Sequence, residues 1–131
     1  MNKNIEFNYL YRDASNYKSF GSIVFTNPYS FSIYFIDSML NTYFDFENLF
    51  IADQISVPEI FLYGKHDITI DDHCYHEYEG IKETEKASND EMNRTINEFI
   101  WEVQFESFKG WNVFDPIERE IWNCTSSNIK K

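Results

Sequence analysis

Apolar and polar residues alternate along the first stretch of the chain. Ile5, Phe7, Tyr9 and Tyr11 fall on one face and Glu6 and Asn8 on the other, with Leu10 the exception. A period of two over this length predicts a half-buried strand. The turn-forming run that starts at Arg12 leads into Phe20-Gly-Ser-Ile-Val-Phe-Thr26, rich in β-branched and aromatic residues, so two strands with a connecting loop form a hairpin or meander. Asn27-Pro28 stops the second strand, because proline cannot donate to the ladder and turns the residue before it away from the helical region. From Ser30 to Tyr43 the period changes: Phe31, Tyr34, Phe35, Met39 and Tyr43 line one side of a helix, and Ile33, Ile36 and Leu40 widen the apolar arc. Such a helix is covered on more than one side.

Asp45 to Ile51 reads as a turn into a short strand, Leu49–Ala52, and Ile60–Tyr63 as a short edge strand or extended segment after Val57-Pro58. A strand over Asp72–Tyr78 places His73, Tyr75 and Glu77 on one face and Cys74, His76 and Tyr78 on the other. Ser88-Asn-Asp-Glu91 has the form of a capping box. It opens a helix with Met92, Ile96, Phe99, Ile100 and Val103 at three-and-four spacing, Glu98, Glu102 and Glu106 towards solvent, and Gly110 as the stop. The order of elements predicts one α+β domain over residues 1–124, a largely antiparallel sheet with two helices packed on one side, followed by a flexible tail over 125–131.

Composition sharpens this picture. With 13 Phe, 9 Tyr and 3 Trp among 131 residues, the chain is too aromatic for a disordered polymer. Its formal charge of -11 disfavours wrapping nucleic acid or lying on an anionic membrane, since both need a basic surface. No apolar run approaches the roughly 20 residues of a membrane span, and the polar start has no secretory core, so a cytosolic place is expected. Cys74 and Cys124 are then reduced thiols.

Several constellations invite chemistry. His73-Cys-Tyr-His76, with His66, Asp71, Asp72 and Glu77 nearby, holds donors that suit zinc, but a strand sends His73 and His76 to opposite faces and no second ligand pair follows. Cys74 and His76 share a face without an orienting third group, and paired carboxylates such as Asp71/Asp72 arise easily in so acidic a chain. The four glycines, Gly21, Gly64, Gly80 and Gly110, form no phosphate-cradling motif. Between the first two strands, Arg12-Asp-Ala-Ser-Asn-Tyr17-Lys18 concentrates two cations, a hydroxyl, an amide and a phenol. It reads either as a site for phosphate or carboxylate with Arg12 as bidentate donor, or as a hairpin ordered by an Arg12–Asp13 pair. The acidic surface reads either as solubility or as an imitation of nucleic-acid phosphates. No catalytic set or cofactor site is predicted.

Three segments carry a resemblance: Phe7-Asn-Tyr-Leu-Tyr-Arg-Asp-Ala-Ser-Asn-Tyr-Lys18, Gly21-Ser-Ile-Val-Phe-Thr-Asn-Pro28, and Asp71-Asp-His-Cys-Tyr-His-Glu-Tyr-Glu79 followed by Ser88-Asn-Asp90. They resemble a group of small bacterial and phage proteins with YRDxxNYK, VxFxNP and DHxxHE segments in this order. That group is similar to the phage anti-defence proteins that inhibit Thoeris immunity by sequestering cyclic ADP-ribose signals. The resemblance implies a non-enzymatic sponge, a homodimer or larger assembly, with its nucleotide pocket at a subunit contact. It implies Arg12, Lys18 and Arg94 for phosphate, Tyr75 or Tyr78 for stacking and Asn89 for polar recognition, with Tyr17 among the ligand-binding residues; no metal is expected. The charge of -11 is a departure from what an anion receptor needs. The alternative is an acidic inhibitor or immunity factor that blocks the basic surface of a nuclease or CRISPR effector. Trp101, Phe105, Trp111, Phe114 and Trp122, displaced from the core stripe of the second helix, are the expected subunit interface.

Overall fold

A computed structural model describes residues 3–44, 46–62 and 68–119. Strands β1 (Asn4–Arg12) and β2 (Lys18–Phe25) form the expected hairpin, followed by helix α1 (Ile33–Tyr43), the two-residue strand β3 (Leu49–Phe50), strand β4 (His76–Thr84) and helix α2 (Ile96–Lys109). The sheet runs β2-β1-β4-β3 and every ladder is antiparallel. Both helices pack on one side of it, making a single α+β domain.

The odd-numbered face of β1 lies at the centre of the core. Ile5, Phe7 and Tyr9 are sealed from solvent together with Phe25, Ile36, Leu40, Phe50, Ile96, Phe99 and Val103. Phe7 is ringed by Tyr9, Phe44, Phe50, Tyr78 and Phe99, at centroid distances of 5.0 to 6.2 Å. Each such side chain contributes roughly 1.5–3 kcal/mol by leaving water, so the aromatic composition is used first to build the interior. Close packing also explains one glycine. A Cβ on Gly21, opposite Tyr9 in the ladder, would lie 2.9 Å from the Tyr9 ring, whose hydroxyl is anchored on the Pro58 carbonyl at 2.7 Å. A register shift between Asn8 and Tyr9 leaves Glu79 as an extra residue in β4, and the adjoining Gly80 adopts φ 145°, which favours glycine.

Three local expectations are corrected. The capping box belongs to Thr95 and Glu98, not Ser88 and Glu91: the Thr95 hydroxyl accepts from Glu98 N at 3.2 Å, and Glu98 Oε1 accepts from Thr95 N at 3.0 Å. Asn93, at φ 54°, breaks the chain between the two candidate boxes, and Met92 stands exposed before the helix. The strand expected over Asp72–Tyr78 starts only at His76 and continues to Thr84, with 72–75 irregular. Leu49–Ala52 shortens to two strand residues because Ala52–Ile55 tightens into a 3₁₀ turn. Residues 60 and 61 carry no strand, and Tyr63 lies outside the described residues, as does the tail over 125–131.

At the outer edge of β2, Asn89 takes the place of a neighbouring strand. Its Oδ1 accepts from Val24 N at 2.8 Å and its own N–H donates to Val24 O at 3.0 Å. Two residues further along, Thr26 bridges Thr95, and Ile96 N donates to Thr26 O at 2.8 Å.

Candidate functional site

The two polar motifs of the sequence meet in space. Asp13 Oδ1 accepts from the backbone N–H groups of Ser15 and Tyr17, both at 2.9 Å, so the aspartate folds the hairpin tip. Arg12 pairs not with Asp13 but with Glu77 on the adjacent strand, through Nε at 3.1 Å and NH2 at 3.3 Å, and holds Asn16 Oδ1 at 2.5 Å. The loop before β4 completes the node: Ser15 Oγ donates to Asp71 at 2.6 Å, the Tyr11 hydroxyl to Asp72 at 2.6 Å, and His73 Nε2 meets the Arg12 carbonyl at 2.6 Å. YRDxxNYK and DHxxHE are thus two halves of one hydrogen-bonded clamp. Burial, then the Asp72 bond, raise the pKa of Tyr11.

Arg94 forms a second knot. Its five donor hydrogens go to Asp90 Oδ2 and Oδ1 (2.9 Å each), Ile55 O (2.8 Å), Glu102 Oε2 (2.9 Å) and Ser56 O (3.0 Å). The guanidinium also lies 5.1 Å from the Phe99 ring centroid and 5.7 Å from that of Phe25. Burial works against the charge, but Asp90 and Glu102 outweigh it and raise the Arg94 pKa. No donor is left for a phosphate.

The anticipated ligand residues therefore divide. Arg94 is consumed in its knot, and Asn89 in sheet pairing. Tyr78 is a core residue, stacked on Phe7 at 5.5 Å with its hydroxyl on Asp37 at 2.5 Å. Tyr75 is half-buried, its ring 6.1 Å from His73 and its N–H on His73 Nδ1 at 3.0 Å. Tyr17 and Lys18 are exposed, and Arg12 and Lys18 face each other across the first ladder.

Cross-strand partners share a face, which extends the Arg12/Lys18 pair into a surface. Arg12 opposes Lys18, Asn8 opposes Ser22 and Gly80, and Glu6 opposes Lys82, all on the side of the sheet away from the helices. Lys86 at 2.8 Å and Lys82 at 3.3 Å both reach the buried carboxylate of Glu6, whose pKa their contacts lower. Four of the chain's 11 Lys and Arg residues gather on this face: Arg12, Lys18, Lys82 and Lys86. On the same face runs an open trough of about 590 Å³, lined by Asn8, Phe20, Gly21, Ser22, Glu79, Gly80, Ile81 and Lys82. Its floor is low because small side chains or none stand at Ser22 and Gly80. The Phe20 ring rises 64 % exposed at its wall. Sequence reading missed Asn8, Phe20, Ser22 and Lys82, though the period-two parity shared by Asn8, Arg12, Lys18, Phe20 and Ser22 was a usable signal.

The Cys74/His76 pair is buried. Burial raises the Cys74 pKa away from thiolate formation. His76 is held neutral, its pKa pushed down to about 3 first by burial and then by the charges of His73 and Arg119. Its Nε2 accepts from Ile60 N at 3.0 Å. Among the described residues no three His, Cys, Asp or Glu side chains converge as a metal ion requires, and no helix is long and apolar enough to cross a membrane. In comparisons with known proteins, the chain matches no family model, no curated protein and no solved structure.

Proposed function

We propose that the protein acts by binding, without catalysis, and captures a small nucleotide signal of the cyclic ADP-ribose class on the outer face of its sheet, as an anti-defence sponge in a host cytosol. The observation that carries this reading is the open trough on the sheet face that holds Arg12, Lys18, Lys82 and Lys86. Its volume of about 590 Å³ falls within the roughly 300–1,000 Å³ of small-molecule sites. Phe20 offers a π face to a base, an interaction worth about 1–3 kcal/mol. Lys18 and Lys82 offer charge to a pyrophosphate, and Asn8 and Ser22 offer hydrogen bonds to ribose hydroxyls. The repulsion implied by a net charge of -11 is screened beyond about 8 Å at physiological salt.

Calorimetry and thermal shift with a panel of cyclic ADP-ribose isomers test the reading. Saturation at 100 times Kd adds about 2.7 kcal/mol of apparent stability, and heating the complex should release the nucleotide unchanged. Phe20→Ala and Lys18→Ala, both exposed, should weaken binding at least about tenfold without lowering Tm. No heat and no shift across the panel would refute capture, and a cleaved nucleotide would make the protein an enzyme.

The second reading, an acidic factor that occupies a basic protein surface, is favoured by the opposite side of the molecule. There Tyr34, Trp101, Phe105 and Phe108 are 82, 61, 62 and 76 % exposed, the kind of aromatic surface that protein interfaces use.

A further inference from the structure

Between α1 and α2 lies a groove of about 120 Å³, lined by Tyr29, Phe31, Phe35 and Met39 on one side and Asn97, Ile100, Trp101 and Gln104 on the other. Tyr29, Phe31 and Phe35 form a chain of rings at 5.9 and 5.0 Å, and Trp101 faces them from the second helix. In this apolar lining sits one anomaly. Asn97 is only 7 % exposed, and its side-chain oxygen is buried with no hydrogen-bond partner among the described residues. A buried acceptor left unpaired costs about 1–3 kcal/mol. Leucine at this position would extend the apolar stripe of Ile96, Ile100 and Val103 at no such cost, so the amide carries a penalty that folding alone does not explain.

The chemistry of the groove narrows its occupant. The volume holds a few waters at roughly 30 Å³ each and is far below that of a pocket for a whole nucleotide, so it accepts one side chain. The acceptor requires an N–H or O–H donor. The aromatic faces favour a cation with a planar, weakly hydrated head. Among the described residues no Lys or Arg lines the groove; of charged residues α1 carries Asp37, and α2 carries Glu98, Glu102 and Glu106 against Lys109. On a chain of net charge -11, charge complementarity favours a basic partner over an acidic one.

We propose that the α1/α2 groove is a docking site for an arginine side chain of a basic partner protein, with the guanidinium stacked among Trp101, Phe35 and Tyr29 and donating to Asn97. This rests on the second reading above and is independent of nucleotide capture on the opposite face.

The test uses the full chain, labelled with ¹⁵N, and three acetylated decapeptides alternating glycine with arginine, lysine or citrulline. The arginine peptide should shift the Asn97 side-chain amide and Trp101 indole signals in a saturable way, and the neutral citrulline peptide should not. Lysine should bind more weakly. Trp101→Ala and Asn97→Leu should each weaken arginine-peptide binding at least about tenfold. Asn97→Leu should keep or raise Tm, which separates a ligand-facing amide from a structural one. Equal binding by the citrulline peptide, or unchanged binding in both variants, overturns the proposal. So does concentration-dependent dimerisation abolished by Trp101→Ala, which would give the groove to a second copy of the chain. Failure here leaves the outer-face titrations unaffected, so the two readings fail separately.

Discussion

Arg94→Ala probes the knot between the loop after β3 and the start of α2. The guanidinium and the Asp90 side chain are 7 and 2 % exposed. Truncation leaves a buried carboxylate with no counter-charge, and breaking a buried pair from one side costs about 3–5 kcal/mol. The Ile55 and Ser56 carbonyls also lose their donor, and the contact with Phe25 and Phe99 disappears. A loss of about 4 kcal/mol is a large part of the 5–15 kcal/mol typical of a domain. With m near 2 kcal/mol/M, it moves the urea midpoint down by about 2 M. Arg94→Lys should fall between, since an ammonium keeps the charge but cannot span five acceptors. The pH dependence adds a second signature. Opposed by burial but prevailing over it, the hydrogen bonds from Arg94 hold the Asp90 pKa below its ordinary value. Stability from this group is therefore present above the unfolded pKa, near 3.9, and lost as pH falls through the folded one. In Arg94→Ala the unpaired carboxyl is raised instead, so the deficit should shrink on acidification from pH 7 towards 4. A midpoint within 0.3 M of wild type, or a deficit independent of pH, would refute this account of the knot.

Two further outcomes follow from the core. His76 has its pKa lowered from 6.5 to about 3, so below pH 6.5 the unfolded chain takes up a proton that the native one refuses. Stability should fall by about 1.4 kcal/mol per pH unit, roughly 2 kcal/mol between pH 6.5 and 5, and urea titrations of His76→Phe should lack this component. Gly21→Ala should cost about 1–3 kcal/mol through overpacking against Tyr9; a Tm equal to wild type would mean that the anchored ring yields.

Legibility in the sequence followed the strength of local period. β1, whose alternation is broken only at Leu10, and the face of α2 could be read because one side of each meets a continuous core; on α1 the core takes Ile36 and Leu40, while Tyr34 and Phe35, read as part of the main stripe, are 82 and 45 % exposed. β4 could not be read. It lies between β1 and the two-residue β3, so Glu77 and Lys82 stand on its solvent side, and exposed Glu83 follows on the other side beyond the reach of β3. So many charges hide the period of two. The choice between Ser88 and Thr95 as cap was undecidable locally, since both precede a glutamate by three residues; the Asp90–Arg94 bond and the left-handed Asn93 decide it. The site was legible only at its edge. Arg12 and Lys18 were visible as polar residues flanking a turn, but the floor of the trough came from the register of β1 with β4, and Asn97 gave no signal except an amide on an apolar stripe.

The pairing of Asn89 with Val24 also bears on how the protein behaves at high concentration. An exposed edge strand is a template on which another chain can add, and one as rich in aromatic and branched residues as Phe20 to Phe25 is a hazard for aggregation. By closing the hydrophobic half of that edge with the side-chain oxygen and backbone N–H of Asn89 and with the Thr26–Thr95 bridge, the described residues leave uncovered the half that begins at Lys18 and Ser19. Growth of a continuous intermolecular sheet is blocked where it would be most favourable.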